Sequence, residues 1–235
     1  MTACPGPGSL AATEFLDHGA PGVRHFAAQA LEGVPDTDRD RAVALYYAVR
    51  DGIRYEVYGA DLSRAGLRAS SVVEARSGMC LHKSVLYAAA LRSVGVPARL
   101  VLTDVRNHLA SDRLRELAGG DVFTYHCLTS AHLDGRWLRA TPVFNRTLCR
   151  LYRLDPLEFD GTADSVHHPH DRSGRRHMEF LREHGEFDDL PHARVVAGLR
   201  AAHPRLFDGP TTPTTDTLTA GSLVAEATDP PGAPR

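Results

Sequence analysis

Residues 76–99 read RSGMCLHKSVLYAAALRSVGVPAR. Gly78 breaks the chain, Cys80 follows two residues later, and apolar residues then recur at three- and four-residue intervals. This spacing predicts an α-helix with one buried stripe. Gly95 stands where helices commonly end, and Pro97 follows at the usual stopping distance. The sequence therefore predicts a core helix with Cys80 in its first turn.

The predicted position of Cys80 has a chemical consequence. The first turn of a helix carries unpaired backbone N–H groups and the positive end of the helix dipole, and both favour a thiolate over a thiol. The thiolate is the nucleophilic form of cysteine. Most free cysteines, however, only fill space in a core. Cys80 is therefore a candidate nucleophile whose role depends on the residues that follow it.

The composition limits the class of protein. At 235 residues with 43% apolar content, the chain can bury one sizeable core, or one core plus a small extension. A net charge of −2 gives no electrostatic reason to expect nucleic acid or an acidic membrane surface as a partner. No apolar run of about 18 residues predicts a transmembrane helix, and the N-terminus lacks the pattern of a signal peptide.

The cysteines carry information about the cellular compartment. Cys4, Cys80, Cys127 and Cys149 are too dispersed for a disulfide framework in a chain of this length. This spacing indicates a reducing cytoplasm, in which a single thiol persists.

Secondary-structure signals predict helices before residue 76 and a mixture of strands and helices after residue 99. Pro21 opens a predicted helix that ends near Gly33. The second helix, capped by Asp36 or Thr37, ends near Gly52, and a short third helix begins near Ser71. Further along, the pattern predicts a strand over 98–105, a helical turn over 113–117, a hairpin over 122–133 and 136–145, and helices over 174–184 and 192–203.

These signals also predict how the chain is organised into segments. In order, they are a disordered leader over 1–8, a core domain over 9–150, a C-terminal extension packed on the core over 151–207, and a disordered tail over 208–235. The tail is assigned from its richness in Pro, Thr, Gly and Ala.

The dipeptide Asp134-Gly135 fixes the register of the hairpin. Asp-Gly between two β-rich runs is the strongest short-range hairpin signal. Directly opposed residues lie on the same face of a sheet. Counting outward from a two-residue loop gives the pairs Leu133–Arg136, His132–Trp137, Ser130–Arg139, Leu128–Thr141 and His126–Val143.

In this register His126 shares a face with Thr141 and Asn145, which lie on its two diagonals. Cys127 points to the other face and is expected to be a core cysteine. A histidine beside a polar residue is how a general base is held in one tautomer, and a cysteine nucleophile needs such a partner to take up its proton. Pro142 cannot donate to a ladder, so the pairing is weakest there. An ordinary core or surface histidine is the alternative for His126.

The motifs together resemble a known family. The Cys80 helix ending in LRSVGVPAR, the His126 strand, the Asp-Gly turn and the strand with Trp137 are similar to the transglutaminase-like superfamily over about residues 20–150. The resemblance implies an α+β fold with a papain-like core. In that core a Cys-bearing helix packs against an antiparallel sheet that carries histidine, with helices N-terminal to both. It also implies that Cys80 is the nucleophile and His126 the base.

One position departs from the family pattern. Four residues after the tryptophan the family usually has aspartate, and this chain has Thr141. A hydroxyl can orient an imidazole but places no charge beside an imidazolium. Asn145 can take the orienting role that asparagine has in papain-like enzymes, and it is the preferred of the two.

The resemblance implies acyl transfer through a thioester on Cys80, with His126 as general base and acid and with water or an amine as acceptor. The Cys80 N–H is the expected oxyanion donor, and His82 and Lys83 would add positive potential if they faced the thiolate. The expected substrate is a peptide, a small-molecule amide or a carrier-bound acyl group. No cofactor or metal is expected, and no loop has the alternating carboxylates of a calcium site. The oligomeric state stays open.

Two alternatives to the enzyme remain. The threonine at 141 allows a non-catalytic binding module with a degenerate triad. A local enrichment in histidine could instead ligate zinc, but its spacing matches no common zinc site, and a solvated loop that leads into a helix explains it better. The residues of that enrichment are His167, His168, His170, Asp171, His177 and His184.

Overall fold

The computed structural model describes residues 4–108, 110–166, 174–207 and 217–228. They form an α+β structure in which helices pack against an antiparallel sheet, as the sequence predicted. The helices are α1 (Pro21–Ala30), α2 (Asp38–Gly52), α3 (Ala69–Ala75), α4 (Cys80–Ser93), α5 (Asp112–Ala118), α6 (Arg146–Leu151), α7 (His192–Ala202) and α8 (Leu223–Thr228). The strands are β1 (Arg54–Tyr55), β2 (Ser77–Gly78), β3 (Ala98–Asn107), β4 (Val122–Leu133), β5 (Arg136–Ala140) and β6 (Met178–Phe187). No helix in these ranges is long and apolar enough to cross a membrane.

Helix α4 lies at the centre of the molecule. It packs on β3 and β4 on one side and on α1, α2 and α3 on the other. Every residue from Cys80 to Arg92 is therefore buried. The prediction that only one stripe of this helix is buried is wrong. The helix begins at Cys80 as predicted, with Met79 as its N-cap residue.

The four-stranded sheet has the order β5-β4-β3-β6, and all of its neighbouring strands are antiparallel. The hairpin of β4 and β5 confirms the register that the Asp134-Gly135 turn predicts, because Ser130 pairs with Arg139 and His132 with Trp137.

The predicted register is wrong farther from the turn, where Leu128 was expected to pair with Thr141 and His126 with Val143. Strand β5 ends at Ala140. The N–H of Thr141 donates to the carbonyl of Ser165 at 3.0 Å instead of to β4. The proline that follows has no N–H to continue a ladder. Residues 141–145 therefore leave the sheet.

Strand β6 replaces the helix predicted over 174–184, and that prediction is wrong. Residues 178–187 pair along β3, whose other edge is occupied by β4. Tertiary pairing overrides a local pattern when a neighbouring strand needs a partner. The predicted helix over 192–203 is confirmed as α7, which packs on β4. Residues beyond 150 thus extend the same sheet.

Parts of both chain ends make contacts with the folded domain. Pro7–Ser9 form a 3-10 turn in which Ser9 is buried. In the C-terminal segment, residues 217–228, Leu218 and Leu223 are buried. The N–H of Leu218 donates to the carbonyl of Ala60 at 2.9 Å, and the N–H of Gly59 to that of Thr219 at 3.0 Å. The remaining parts of the predicted leader and tail, 1–3, 208–216 and 229–235, lie outside the described residues.

Candidate functional site

Cys80 is placed by a close approach of the chain to itself. Strand β2 pairs in parallel with β1 through Ser77 and Gly78, and α4 starts two residues later. A Cβ atom on Gly78 would lie 2.5 Å from the Cβ of His82 in the first turn of α4. Only glycine fits this approach. The Gly-x-Cys motif therefore sets where the helix begins and leaves the sulfur at its first residue.

The environment of Cys80 keeps its sulfur as a thiol. Burial raises the pKa of Cys80 to about 11, although the backbone N–H groups of Cys127, Leu81 and Cys80 itself act in the opposite direction. The side chain is 4% exposed. The thiolate expected from the helix dipole is thus not the resting form, because desolvation outweighs the N–H donors of the first turn.

His126 lies on β4 beside a distortion of the strand. It pairs with Thr103, whereas Phe123 pairs with Val105, so two residues of β4 oppose one residue of β3. This is a β-bulge, a feature that re-aims a side chain and is common next to active sites. Tyr125 in the bulge has φ 57°. Burial lowers the pKa of His126 to about 4, so its imidazole is neutral near pH 7.

Several contacts hold the bulge in place. The N–H of Tyr125 donates to Asp104 Oδ1 at 3.2 Å, and His184 Nε2 donates to the same oxygen at 2.7 Å. The ring of Tyr125 stacks on that of His184, with centroids 4.4 Å apart. The same ring covers Gly198 of α7, where a Cβ would overlap it. Elements from the C-terminal part of the chain therefore support the residue next to His126.

Cys80 and His126 line one cavity of about 100 Å³. The cavity lies between α4, the bulged end of β4, α5, α6 and α7. Most of its wall is apolar, and the polar members include Asn107, Ser111 and Thr124. The larger apolar side chains on the wall are Val105, Leu114, Phe123, Phe144, Leu148, Leu154, Met178, Leu199, Leu206 and Leu223.

Thr141 and Asn145 do not contact His126 through hydrogen bonds. Thr141 Oγ1 is buried and finds no hydrogen-bond partner within the described structure. Asn145 Oδ1 accepts the N–H of Tyr55 at 3.3 Å, and Asn145 is the N-cap residue of α6. Both residues sit where the chain has left the sheet, so neither reaches the diagonal position that the extended register predicted.

Three residues on the cavity wall were not predicted as neighbours of Cys80. Tyr55 of β1 is close enough to Cys80 for the two groups to interact electrostatically, and burial raises its pKa well above the ordinary value, so its phenol stays protonated. Cys149 is a second thiol on the wall, with its pKa raised to about 11 by burial. His177, which stacks on Phe144, is the third. Leu148, Cys149 and Tyr152 are spaced as residues on one face of a helix. This spacing is the sequence pattern from which the cavity-facing side of α6 could have been predicted.

His82 and Lys83 face away from the sulfur. Lys83 Nζ donates to the carbonyls of Arg50, at 2.9 Å, and Ile53, at 2.6 Å, at the end of α2. His82 Nε2 bonds to the carbonyl of Asp61 at 2.9 Å. These side chains therefore bind backbone carbonyls of other segments and do not supply the positive potential that was expected near Cys80.

A metal site does not emerge from the described residues, since no group of three or more His, Cys, Asp or Glu side chains is arranged to hold an ion there. Of the histidine-rich segment, residues 167–171 lie outside the described residues. His177 lines the cavity, whereas His184 binds Asp104 beside the bulge.

Comparison with solved structures finds chains of low similarity. A candidate cysteine protease from Cytophaga hutchinsonii is 16% identical, with a TM-score of 0.47 over 80% of this chain and 48% of the other. A structure named as a TGase is 19% identical, with a TM-score of 0.37 over 52% and 30%. A candidate protease from Parabacteroides distasonis is 15% identical, with a TM-score of 0.36 over 57% and 26%. The chain thus spans about half the length of the first and less than a third of the others.

No curated protein matches the sequence. The family model of the transglutaminase-like superfamily, however, matches residues 24–142, just over half of the chain. The matched region contains α4, β3, β4 and β5, and with them Cys80 and His126. The chain belongs to the transglutaminase-like superfamily.

Proposed function

We propose that the protein is a cysteine-dependent acyl-transfer enzyme in which Cys80 is the nucleophile and His126 the general base and acid. The observation that carries the proposal is that a thiol at the first residue of a core helix and a neutral imidazole lie on the wall of one cavity. A cysteine and a histidine that share a site are the parts of a nucleophile activated by a base. Membership of the transglutaminase-like superfamily supports the same chemistry.

The protonation states suggest how the reaction starts. Cys80 is a thiol and His126 is neutral, so the imidazole takes the proton as the sulfur attacks the substrate carbonyl. The backbone N–H of Cys80, at the start of α4, stabilises the oxyanion that forms. His126 then returns the proton to the departing amine or thiol, which leaves a thioester on Cys80. Water or an amine attacks the thioester, and the acyl group leaves as an acid or an amide.

The proposed substrate is a peptide, a small-molecule amide or a carrier-bound acyl group, and the proposed reaction uses no cofactor or metal. The proposed location is a reducing cytoplasm. A nucleic-acid or membrane partner forms no part of the proposal. The alternative is a non-catalytic binding module. It is favoured by Thr141 Oγ1, which makes no hydrogen bond where the family usually places a carboxylate.

Intact-mass spectrometry tests the proposal with a small acyl thioester, acetyl-N-acetylcysteamine. The wild-type protein should gain one acetyl group on Cys80, and Cys80→Ala should gain none. His126→Gln should slow the acylation by about 10²- to 10⁴-fold, the usual contribution of a general base. Cys149→Ala is the matched control, because it removes the other thiol of the cavity and should still be acylated. No adduct on folded wild-type protein would favour the binding module.

A further inference from the structure

The described part of the wall beside Cys80 carries no permanently charged side chain. Among its lining residues there is no Asp, Glu, Lys or Arg. Its histidines include His126 and His203, whose pKa values are both lowered by burial. His203 is also fixed by two backbone groups, since its Nε2 accepts the N–H of Thr124 at 3.0 Å and its Nδ1 donates to the carbonyl of Ala118 at 2.8 Å. A charged group that entered this space would lose its hydration and gain no ionic partner from the described residues of the wall.

The acyl part of a substrate has to lie in this cavity. In the thioester, the acyl carbon is bonded to the Cys80 sulfur, and the side chain of Cys80 is 4% exposed. The leaving group departs after the first step, but the acyl chain stays beside the sulfur until the acceptor attacks. Within the described structure, the space beside that sulfur is the cavity.

The cavity volume indicates how many acyl carbons fit in the space beside Cys80. An apolar cavity of about 150 Å³ holds benzene, which corresponds to about 25 Å³ per carbon atom. The cavity here is about 100 Å³. It therefore accommodates roughly four carbon atoms without rearrangement.

One wall of the cavity comes from the C-terminal segment, residues 217–228. Leu223 lines the cavity, and its N–H donates to the carboxylate of Glu56, 3.1 Å from Oε2 and 3.3 Å from Oε1. Tyr152 Oη donates to the carbonyl of Leu223 at 3.0 Å. Glu56 is itself fixed by the N–H groups of Val57 and Tyr58. Bonds on both sides of its backbone therefore hold the Leu223 side chain against the cavity.

We infer that the cavity is an acyl pocket that selects an uncharged, apolar acyl group of about four carbons, and that Leu223 of the C-terminal segment limits the length of that group. The inference rests on the proposed acyl transfer at Cys80. It adds the class of acyl group, which neither the family nor the pair of catalytic residues specifies.

A matched pair of probes tests the charge selection. Butyryl and succinyl thioesters of N-acetylcysteamine have the same number of acyl carbons and differ by one terminal carboxylate. Butyryl transfer to Cys80, followed by intact mass, should be at least 100-fold faster than succinyl transfer, and faster than octanoyl transfer. Equal rates for butyryl and succinyl would overturn the inference.

A matched pair of variants tests the role of Leu223. Leu223→Ala should raise the ratio of the octanoyl rate to the butyryl rate at least tenfold. Leu218→Ala should leave that ratio unchanged, because Leu218 is buried in the same segment but is not on the cavity wall. An equal change in both variants would show that Leu223 only stabilises the segment, and would overturn its assigned role.

The ratio is measured within one protein sample, so partial unfolding of a variant does not imitate the effect. The acetyl probe separates the two proposals. If Cys80 is acetylated but shows no preference among the longer probes, the pocket inference fails and acyl transfer stands. If no thioester acylates Cys80 in the folded protein, both fail.

Discussion

The ring of Tyr125 stacks on that of His184, with centroids 4.4 Å apart, and so connects the residue before His126 to strand β6. A tyrosine with φ 57° occupies a sparsely populated backbone region, and such strain persists only when the surroundings enforce it. Here the surroundings are β6 and α7, both outside the residues that match the family model. The C-terminal part of the chain thus fixes the backbone that carries the proposed base.

Gly198→Ala tests this support. The added Cβ overlaps the Tyr125 ring and has to displace it or α7. Overpacking of this kind costs about 1–3 kcal/mol of unfolding free energy, and the acylation rate of Cys80 should fall with it because the bulge moves. Urea unfolding and the acetyl-thioester assay measure the two effects.

The control for Gly198→Ala is the same substitution in a Tyr125→Leu background. Residues in contact give non-additive changes, so the alanine should cost less stability when the ring is absent. Additive losses would show that the clash with Tyr125 is not the cause. Stability loss with an unchanged acylation rate per folded molecule would show that the bulge does not position His126.

The pKa of His126 predicts a pH dependence of stability. Its ordinary value of 6.5 falls to about 4 in the fold. Between these values the unfolded chain binds more protons, so stability rises with pH. The contribution, about 3 kcal/mol, should be complete above pH 6.5 and be lost as pH falls toward 4.

His126→Gln isolates that contribution, because other buried histidines such as His203 titrate in both proteins. The difference in unfolding free energy between the two proteins, measured in urea at several pH values, should change between pH 6.5 and 4. A constant difference across this range would mean that His126 is solvated or paired with an acid in the folded protein.

The pKa of Cys80 predicts how the free enzyme reacts with iodoacetamide. With a pKa of about 11, the thiolate fraction rises about tenfold per pH unit across the neutral range. In a Cys149→Ala background, the labelling rate at Cys80 should therefore still be increasing at pH 9. A plateau below pH 7 would instead show a thiolate–imidazolium pair in the resting state.

Thr141→Val tests whether the threonine orients His126. The hydroxyl is buried and makes no hydrogen bond in the described structure, so an isosteric apolar side chain should leave the acylation rate within about threefold and the stability unchanged or slightly higher. Asn145→Ala should cost about 1 kcal/mol, because it removes the acceptor for the N–H of Tyr55, whereas the Asn145 side chain makes no cap hydrogen bond to α6. A loss of tenfold or more in Thr141→Val would restore the threonine to the catalytic group.

Local signals explain which parts of this molecule could be predicted. The Gly78 break, the helix from Cys80 and the hairpin at Asp134-Gly135 are encoded in neighbouring residues, and the structure has all three. Strand β6 was predicted as a helix because its identity depends on β3, about 80 residues earlier in the chain.

The cavity could not be predicted for a related reason. Leu114, Leu148, Leu199 and Leu223 each belong to a different helix, and each appears in the sequence as an ordinary apolar residue. The bulge at Tyr125 likewise leaves no pattern in the sequence, because the residue with the positive φ is a tyrosine and not a glycine. The orienting roles assigned to Thr141 and Asn145 relied on a register that ends at Ala140.

Lys83 is the single lysine in the sequence, and its amino group is fully buried three residues after Cys80, where burial lowers its pKa well below the ordinary value. Its amino group donates to the carbonyls of Arg50 and Ile53 at the end of α2. It therefore supplies hydrogen bonds that these helix-end carbonyls would otherwise lack, and it does not contact the reaction site. Lys83→Met should cost about 1–3 kcal/mol of stability, the penalty for unsatisfied buried carbonyls, while the acylation rate per folded molecule stays within a few fold.

Amine-reactive reagents provide an independent measurement of the same contact. In the native protein, modification of the Lys83 side chain should occur only through unfolding, so its rate should increase in urea together with the loss of helical circular dichroism. Rapid modification under native conditions would contradict the buried position. A Lys83→Met variant with native stability but no acylation would instead place the lysine in the chemistry at Cys80.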